Sequence, residues 1–188
     1  MLISAVWAVP MFGALVVRFF SSPRRARTFS LLLSAVTLAM AAVVFLLDGA
    51  QQAFGRSDAD VAPILLGVRY HVGVDGLSAV LLPLSALIGL SALLAAPRAE
   101  LGPRAASQLL FAQGAILGVL VALDALVLTL FWTLSLLPLR SELQRRGERT
   151  ASAAFNVVFL GSTVPVVLFV AGLGLGFGLD VLTHAAGS

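Results

Sequence analysis

The 188-residue chain contains neither cysteine nor lysine, and charged residues make up only 11% of it. Without cysteine there can be no disulfide, no thiolate zinc site and no cysteine-held iron–sulfur cluster. The low charged fraction excludes an ordinary soluble domain, in which about a quarter of the residues are charged. The chain is instead 60% hydrophobic, with a mean hydropathy of +1.04. We therefore expect a protein whose surface is solvated by lipid.

The apolar residues form long continuous runs, which favour transmembrane helices over the alternating pattern of a β-barrel. A membrane-spanning helix needs roughly 20 apolar residues. Four runs have about this length: Leu2–Phe20, Phe29–Leu47, Val74–Ala95 and Phe155–Phe177. A fifth run, Leu109–Leu139, is long enough for one tilted helix or for two short helices that turn at Asp124.

The twelve arginines distinguish these alternatives, because positively charged loops tend to stay on the cytoplasmic side of a membrane. If Leu109–Leu139 crosses once, six arginines lie on each side; if it crosses twice, ten lie on one side and two on the other. The second arrangement also puts Asp124 in a turn at the surface opposite the arginines. The sequence therefore predicts an all-α, polytopic membrane helix bundle with about six transmembrane helices, N-out and C-out. It forms a single transmembrane domain over residues 1–188, in a bacterial inner (cytoplasmic) membrane.

Two stretches outside the clear helices have distinctive sequences. Asp48–Gly73 is long enough for a short re-entrant strand or a hairpin, with β character at Val68, Tyr70 and Val72. Gly172–Gly178 has the composition of a nucleotide-binding loop, but no strand precedes it and no amphipathic helix follows it. We interpret this glycine-rich segment as a surface for close helix packing.

The polar side chains within the predicted spans are almost all uncharged. Thr129, Thr133 and Ser135 are hydroxyls in the second half of the long run. A hydroxyl can hydrogen-bond its own helix, but it cannot store a proton near neutral pH. The centres of the six spans contain no Asp, Glu, Lys, Arg or His, whereas a self-contained ion carrier is expected to have at least one.

The remaining titratable groups favour structural roles. Asp75 lies at the start of the third predicted span and Asp124 at the start of the fifth helix, where a carboxylate can accept hydrogen bonds from free backbone N–H groups. His71 and His184 lie far apart and outside the apolar runs. Neither has a partner at metal-ligand spacing, so we predict no metal site. We likewise expect no catalytic residues and no cofactor bound by this chain.

Two segments carry the motifs of a known family. They are YHVGVDGLSAVLLPLSALIGL (Tyr70–Leu90) and ALDALVLTLFWTLSLLPL (Ala122–Leu139). Both resemble the antiporter-like membrane subunits of respiratory complex I, above all NADH-quinone oxidoreductase subunit M. Related subunits occur in multisubunit sodium/proton antiporters and membrane-bound hydrogenases. The positions that fall in register are Asp75, Gly76, Leu77, Ser78, Asp124, Phe131, Trp132 and Pro138.

The resemblance also identifies departures from the family pattern. The family places a glutamate after the Phe-Trp pair, a residue associated with a proton path, and here that position is Thr133. Family members usually have many more helices than the six predicted here, including broken helices and buried lysines. Arg140 and Glu142 stand where the fifth helix of the family is normally apolar, so we expect that helix to be cut short. The resemblance thus implies a truncated and divergent relative.

The implied function is that of a membrane-arm subunit in a proton-translocating assembly of the NADH-quinone oxidoreductase type. Its role would be structural, or that of one half of a split proton-path subunit. The proton-path candidates are Thr133, Asp124 and Thr129, and the structural motif comprises Asp75, Gly76, Ser78, Trp132 and Pro138. The expected partners are other membrane subunits and the lipid bilayer, and no nucleic acid. The alternatives are a membrane scaffold or assembly protein without a transport role, and a subunit of a cation/proton antiporter.

Overall fold

The computed structural model of the chain describes residues 2–51, 57–64, 68–98, 101–145, 147, 150–161, 163–164, 167–168 and 172. Along these residues run α1 (Leu2–Arg18), α2 (Pro23–Gln51), β1 (Ser57–Ile64), β2 (Val68–Val74), α3 (Gly76–Ala95), α4 (Pro103–Val121), α5 (Ala125–Arg145) and α6 (Thr150–Gly161). By length and composition, α3, α4 and the Pro23–Leu47 part of α2 can each cross a membrane. The predicted all-α membrane bundle is confirmed, with a β-hairpin as its only strands among the described residues.

Some predicted features fall outside this part of the chain. Of the glycine-rich segment Gly172–Gly178, only Gly172 is among the described residues. His184 and the side chain of His71 are not among them.

The long apolar run divides into two helices, as the arginine distribution predicts. Helix α4 ends at Val121 and α5 begins at Ala125. Between them Ala122 forms an isolated antiparallel bridge with Val72 of β2, and Asp124 lies in the bend. The chain reverses here because the Ala122 backbone leaves the helical region, with ψ near 119°.

Several helix ends differ from those that hydropathy predicts. Helix α2 begins at Pro23 rather than Phe29, and proline is well suited to the first helical position. Helix α3 begins at Gly76 because Val74 ends strand β2. The expectation that the fifth helix is cut short is wrong: α5 continues to Arg145. An ion pair between Arg145 Nη2 and Glu142 Oε1, 2.7 Å apart, supports the added turn. Apolar residues mark the lipid-immersed part of a helix, whereas backbone hydrogen bonding continues past it.

The predicted hairpin is confirmed. Strands β1 and β2 pair antiparallel, from Ser57 opposite Val74 to Ile64 opposite Val68. The register shifts between Val61 and Pro63, where a proline cannot donate to the ladder. Val72 and Val74 are fully buried, so β2 closes one end of the helix bundle.

Helix α4 is the central helix of the bundle, and its buried face recurs every three or four residues. Small residues on that face allow close approach. A side chain at Gly114 would collide with Met11 and the Trp7 carbonyl of α1, and one at Gly118 would collide with the Phe131 ring of α5. Lipid tails are as apolar as leucine, so membrane helices associate through close packing of this kind.

The bundle has two apolar clusters, one near each end. The cluster near the hairpin includes Leu82 of α3 and Leu117 of α4. The cluster at the other end includes Leu93 of α3 and Leu110 of α4. This second end also brings arginines together: Arg24 and Arg27 of α2 line the same cleft as Arg98, which follows α3. Asp124 lies at the hairpin end, because Ala122, two residues before it, forms the bridge to Val72 of β2.

Candidate functional site

The three proton-path candidates lie along the first part of α5. Asp124 precedes the helix, and its backbone carbonyl accepts a hydrogen bond from Leu128 N at 2.9 Å. Thr129 is buried, with 7% of its surface exposed, and its hydroxyl donates to the Ala125 carbonyl at 2.7 Å. Thr133 is half-buried one helical turn later, on the same face as Thr129. The structure therefore places Asp124 in the turn between α4 and α5 and both threonines on one face of α5.

The aromatic pair before Thr133 divides between the core and the surface. Phe131 is buried and packs edge-on against Trp7 of α1, with ring centroids 4.8 Å apart. Trp132 is 45% exposed, on the outer face of the bundle. Phe131 therefore fixes α5 against α1 and α4, while Trp132 faces the surroundings.

Pro138 lines a cavity of about 370 Å³ between α5, α4 and the segment that follows α3. Its walls are mainly apolar, with Ser135 and the Glu142–Arg145 ion pair among the polar groups. The Ser135 hydroxyl donates to the carbonyl of Trp132 at 2.7 Å, so its proton is used within its own helix. Gln108 of α4 donates to Ser141 Oγ of α5 at 2.6 Å near the same end.

Asp75 caps α3, the role that its sequence position predicts. Its Oδ1 accepts a hydrogen bond from Ser78 N at 2.7 Å. This hydrogen bond from the Ser78 backbone, followed by one from the Ser78 side chain, lowers the pKa of the exposed Asp75 carboxyl below its usual value. Gly76 begins the helix with open space around it, since an added Cβ would meet no atom within 4 Å. The structural motif residues Asp75, Gly76 and Ser78 thus form a helix N-terminus.

The most central polar group is one that the sequence analysis missed. Gln113 lies near the middle of α4 and is 4% exposed. Its Oε1 accepts from Ser34 Oγ of α2 at 3.0 Å, and its Nε2 donates to the Ala86 carbonyl of α3 at 3.3 Å. Gly89 of α3 leaves the room that the amide occupies, because a Cβ there would lie 2.6 Å from Gln113 Cδ. We call Gln113, Ser34, Ala86 and Gly89 the central polar cluster.

The central polar cluster lies between the two apolar clusters. Along α4, Gln113 falls between Leu110 of one cluster and Leu117 of the other. A search for ionisable residues alone passes over it. The available signal was an amide at the middle of an otherwise apolar helix, because buried polar side chains in membrane helices usually face another helix.

Among the described residues, the polar side chains that are buried as a whole are all uncharged. The buried polar side chains there are Ser30, Ser34, Thr37, Ser107, Gln113, Thr129 and Thr163. Hydroxyls and amides donate and accept hydrogen bonds, but they have no second charge state near neutral pH. This arrangement can join helices or order water, but none of these groups can hold a proton in transit.

Comparison with known proteins gives no match to any protein-family model, but it does find curated relatives. The chain is 34% identical over 134 residues to F420H2 dehydrogenase subunit M of Methanosarcina mazei. The aligned region covers 70% of this chain and 27% of the relative. It is 33% identical over 120 residues to an NAD(P)H-quinone oxidoreductase chain 4 of Trichormus variabilis and to one of a Nostoc species. Those matches cover 63% of this chain and 22% of each relative. The chain therefore spans about a quarter of the length of these relatives.

These relatives agree with the resemblance seen in the two motifs, and the apolar helices agree with a multi-pass membrane protein. Over 63–70% of its length, the chain is thus homologous to the antiporter-like membrane subunits of complex I-type oxidoreductases.

Proposed function

We propose that the chain is a membrane-arm subunit of a proton-translocating assembly of the NADH-quinone oxidoreductase type, and that this segment packs and supports the assembly rather than carrying protons. The homology to subunit M and chain 4 supports the first part. The second part is supported by the fully buried polar side chains of the described bundle, which are all uncharged. The proposed location is a bacterial inner membrane, with the arginine end facing the cytoplasm.

A proton relay and a packing helix need different side chains. A relay needs groups that bind and release protons at working pH, and in membrane helices these are usually carboxylates, histidines or lysines. On the face of α5 where the resemblance implies a glutamate, the side chains are Thr129 and Thr133. Thr129 already donates its proton to its own helix. Apolar side chains are exposed on α3 and α2, including Leu77 at 70% and Leu32 at 61%, and these faces can pack against lipid or a neighbouring subunit.

The first test is isolation of the assembly through an affinity tag on this chain. Other membrane-arm subunits are expected to co-purify with it. Recovery only with incomplete assembly intermediates would favour the scaffold alternative. Absence from every respiratory or antiporter assembly would contradict the proposal.

The second test separates packing from proton transfer. In proteoliposomes containing the purified assembly, Thr133→Val is expected to leave the number of protons moved per electron pair unchanged. Ser135→Ala is a matched control, because it removes a hydroxyl that bonds within the same helix. A loss of proton movement in Thr133→Val but not in Ser135→Ala would show that Thr133 acts in a proton path. Proton or sodium flux through the chain alone would favour the antiporter alternative.

A further inference from the structure

A cleft of about 890 Å³ opens at the arginine end of the bundle, between the start of α2 and the connection from α3 to α4. Three arginines line it: Arg24 and Arg27 from α2, and Arg98 from the connection. Among the described residues that line the cleft there is no acidic side chain. The cleft is therefore a concentration of positive charge from two segments that are far apart in sequence, the start of α2 and the connection after α3.

Arg27 is positioned with an unused donor. Its Nη2 makes a long contact of 3.5 Å to the carbonyl of Leu94, in the last turn of α3. A cation is favourable there because the last carbonyls of a helix carry partial negative charge. Its Nη1 is buried and has no hydrogen-bond partner. A buried donor without an acceptor is costly, and the cost is larger for a charged group, so a shift of the Arg27 side chain that brought Nη1 to an anionic oxygen in the cleft would be favourable.

The three guanidinium groups also repel one another. None of them has a carboxylate partner among the described hydrogen bonds and ion pairs. The N-terminus of the 29-residue helix α2 adds partial positive charge beside Arg24. A bound anion would relieve this repulsion, and arginine is well suited to phosphate because its planar fork donates two parallel hydrogen bonds.

The remaining lining residues indicate what the anion is attached to. Leu31 and Leu101 give the cleft apolar walls, and Leu101 is almost completely buried. Nearby, Leu32 and Leu94 expose more than half of their surface on the outside of the bundle. A ligand with one anionic headgroup and apolar tails matches both parts: the headgroup meets the arginines, and an acyl chain follows the leucines out of the cleft.

We propose that the cleft formed by Arg24, Arg27 and Arg98 binds an anionic phospholipid, with its phosphate at the arginines and an acyl chain along the apolar wall. Basic pockets between membrane helices are suited to anionic headgroups. The proposal does not depend on the proton-translocating assembly, since it uses only contacts within this chain. A zwitterionic lipid also carries a phosphate, but its ammonium group would meet three cations.

The test uses the 188-residue chain, purified in detergent and stripped of lipid. Native mass spectrometry would measure the binding of dioleoyl phosphatidylglycerol, dioleoyl phosphatidylcholine and inorganic phosphate. Wild-type protein is expected to bind phosphatidylglycerol at least about tenfold more tightly than either of the others. The ammonium group of phosphatidylcholine is repelled by the three arginines, and inorganic phosphate has no acyl chain to bury. Arg27→Gln and Arg98→Gln are each expected to lower phosphatidylglycerol affinity about tenfold.

Two variants keep the result interpretable. Arg104→Gln is the matched control. Arg104 is an exposed arginine at the start of α4 and is not among the residues that line the cleft. Its replacement changes the net charge of the chain by the same amount as Arg27→Gln or Arg98→Gln. It should leave phosphatidylglycerol affinity unchanged within about twofold. Arg98→Gln changes an exposed residue outside the helices, so it remains informative if Arg27→Gln folds poorly.

Three results would overturn the proposal. The first is equal affinity for the two lipids in the wild-type protein. The second is an equal loss of affinity in Arg104→Gln, which would indicate attraction to overall charge. The third is inorganic phosphate binding as tightly as phosphatidylglycerol, which would make the ligand a free anion rather than a lipid.

Discussion

Gly89 and Gln113 provide a direct test of the central polar cluster. Gly89→Ala would place a Cβ 2.6 Å from Gln113 Cδ and 2.9 Å from Nε2. Both distances are shorter than van der Waals contact, so the amide must move away. Because that amide is held by Ser34 and by the Ala86 carbonyl, moving it breaks the hydrogen bonds that join α2, α3 and α4.

The loss of unfolding free energy in Gly89→Ala follows from the two hydrogen bonds of the Gln113 amide. Hydrogen bonds between membrane helices contribute about 0.6 kcal/mol on average and about 1.7 kcal/mol at most. Losing both therefore costs about 1–3 kcal/mol, the same range that overpacking usually costs. Alanine is favoured over glycine within a helix by about 1 kcal/mol, which offsets part of this cost. The single variant alone therefore understates the interaction.

A double-mutant cycle removes the offset. In a Gln113→Ala background the amide is absent, so Gly89→Ala should be neutral or stabilising. The expected coupling energy between the two changes is about 1–3 kcal/mol. The measurement is the free energy of unfolding in mixed micelles. It is followed in a Trp132→Phe background by the fluorescence of Trp7, whose ring packs on Phe131.

Gly76→Ala serves as the control, because a Cβ at Gly76 meets no atom within 4 Å. Its effect should add to that of Gln113→Ala within about 0.5 kcal/mol. If Gly89→Ala is equally additive with Gln113→Ala, Gln113 does not occupy the space beside Gly89 and the account of the central polar cluster fails.

Two further predictions concern the cap of α3 and the orientation of the bundle. Hydrogen bonding lowers the folded-state pKa of Asp75. The ionised Asp75 carboxylate should therefore stabilise the fold fully above its unfolded pKa, about 3.9, and this stabilisation should be lost as the pH falls through the folded pKa. Asp75→Asn keeps a capping side chain and should abolish that pH dependence. Asp75→Ala should lower the free energy of unfolding by about 1 kcal/mol at pH 7. If the acid dependence is unchanged in Asp75→Asn, another titratable group causes it. The chain has no cysteine, so single cysteines can be introduced at Ser21 and Ala125, which are exposed at opposite ends of the bundle. A membrane-impermeant maleimide added to intact cells should label Ala125→Cys but not Ser21→Cys, and the reverse pattern would contradict the N-out orientation.

The division of the long apolar run at Asp124 could be predicted from sequence because it depends on length and charge. A membrane of fixed thickness limits each span, and the arginine distribution distinguishes one crossing from two. The cap at Asp75 was predictable for a similar reason, since Asp75 and its partner Ser78 are three residues apart. The ends of α2 and α5 were not, because helical hydrogen bonds continue where the apolar residues stop.

The sequence by itself determined that this protein is a helical membrane bundle whose predicted spans have no ionisable residue at their centres, because each of these properties is carried by continuous stretches of chain. Only the tertiary structure decided which polar groups meet inside it. Gln113 finds Ser34 across 79 positions of sequence, and Arg27 finds the Leu94 carbonyl across 67. A buried amide must find hydrogen-bond partners in a medium without water, but the packing of separate helices decides which residues those partners are.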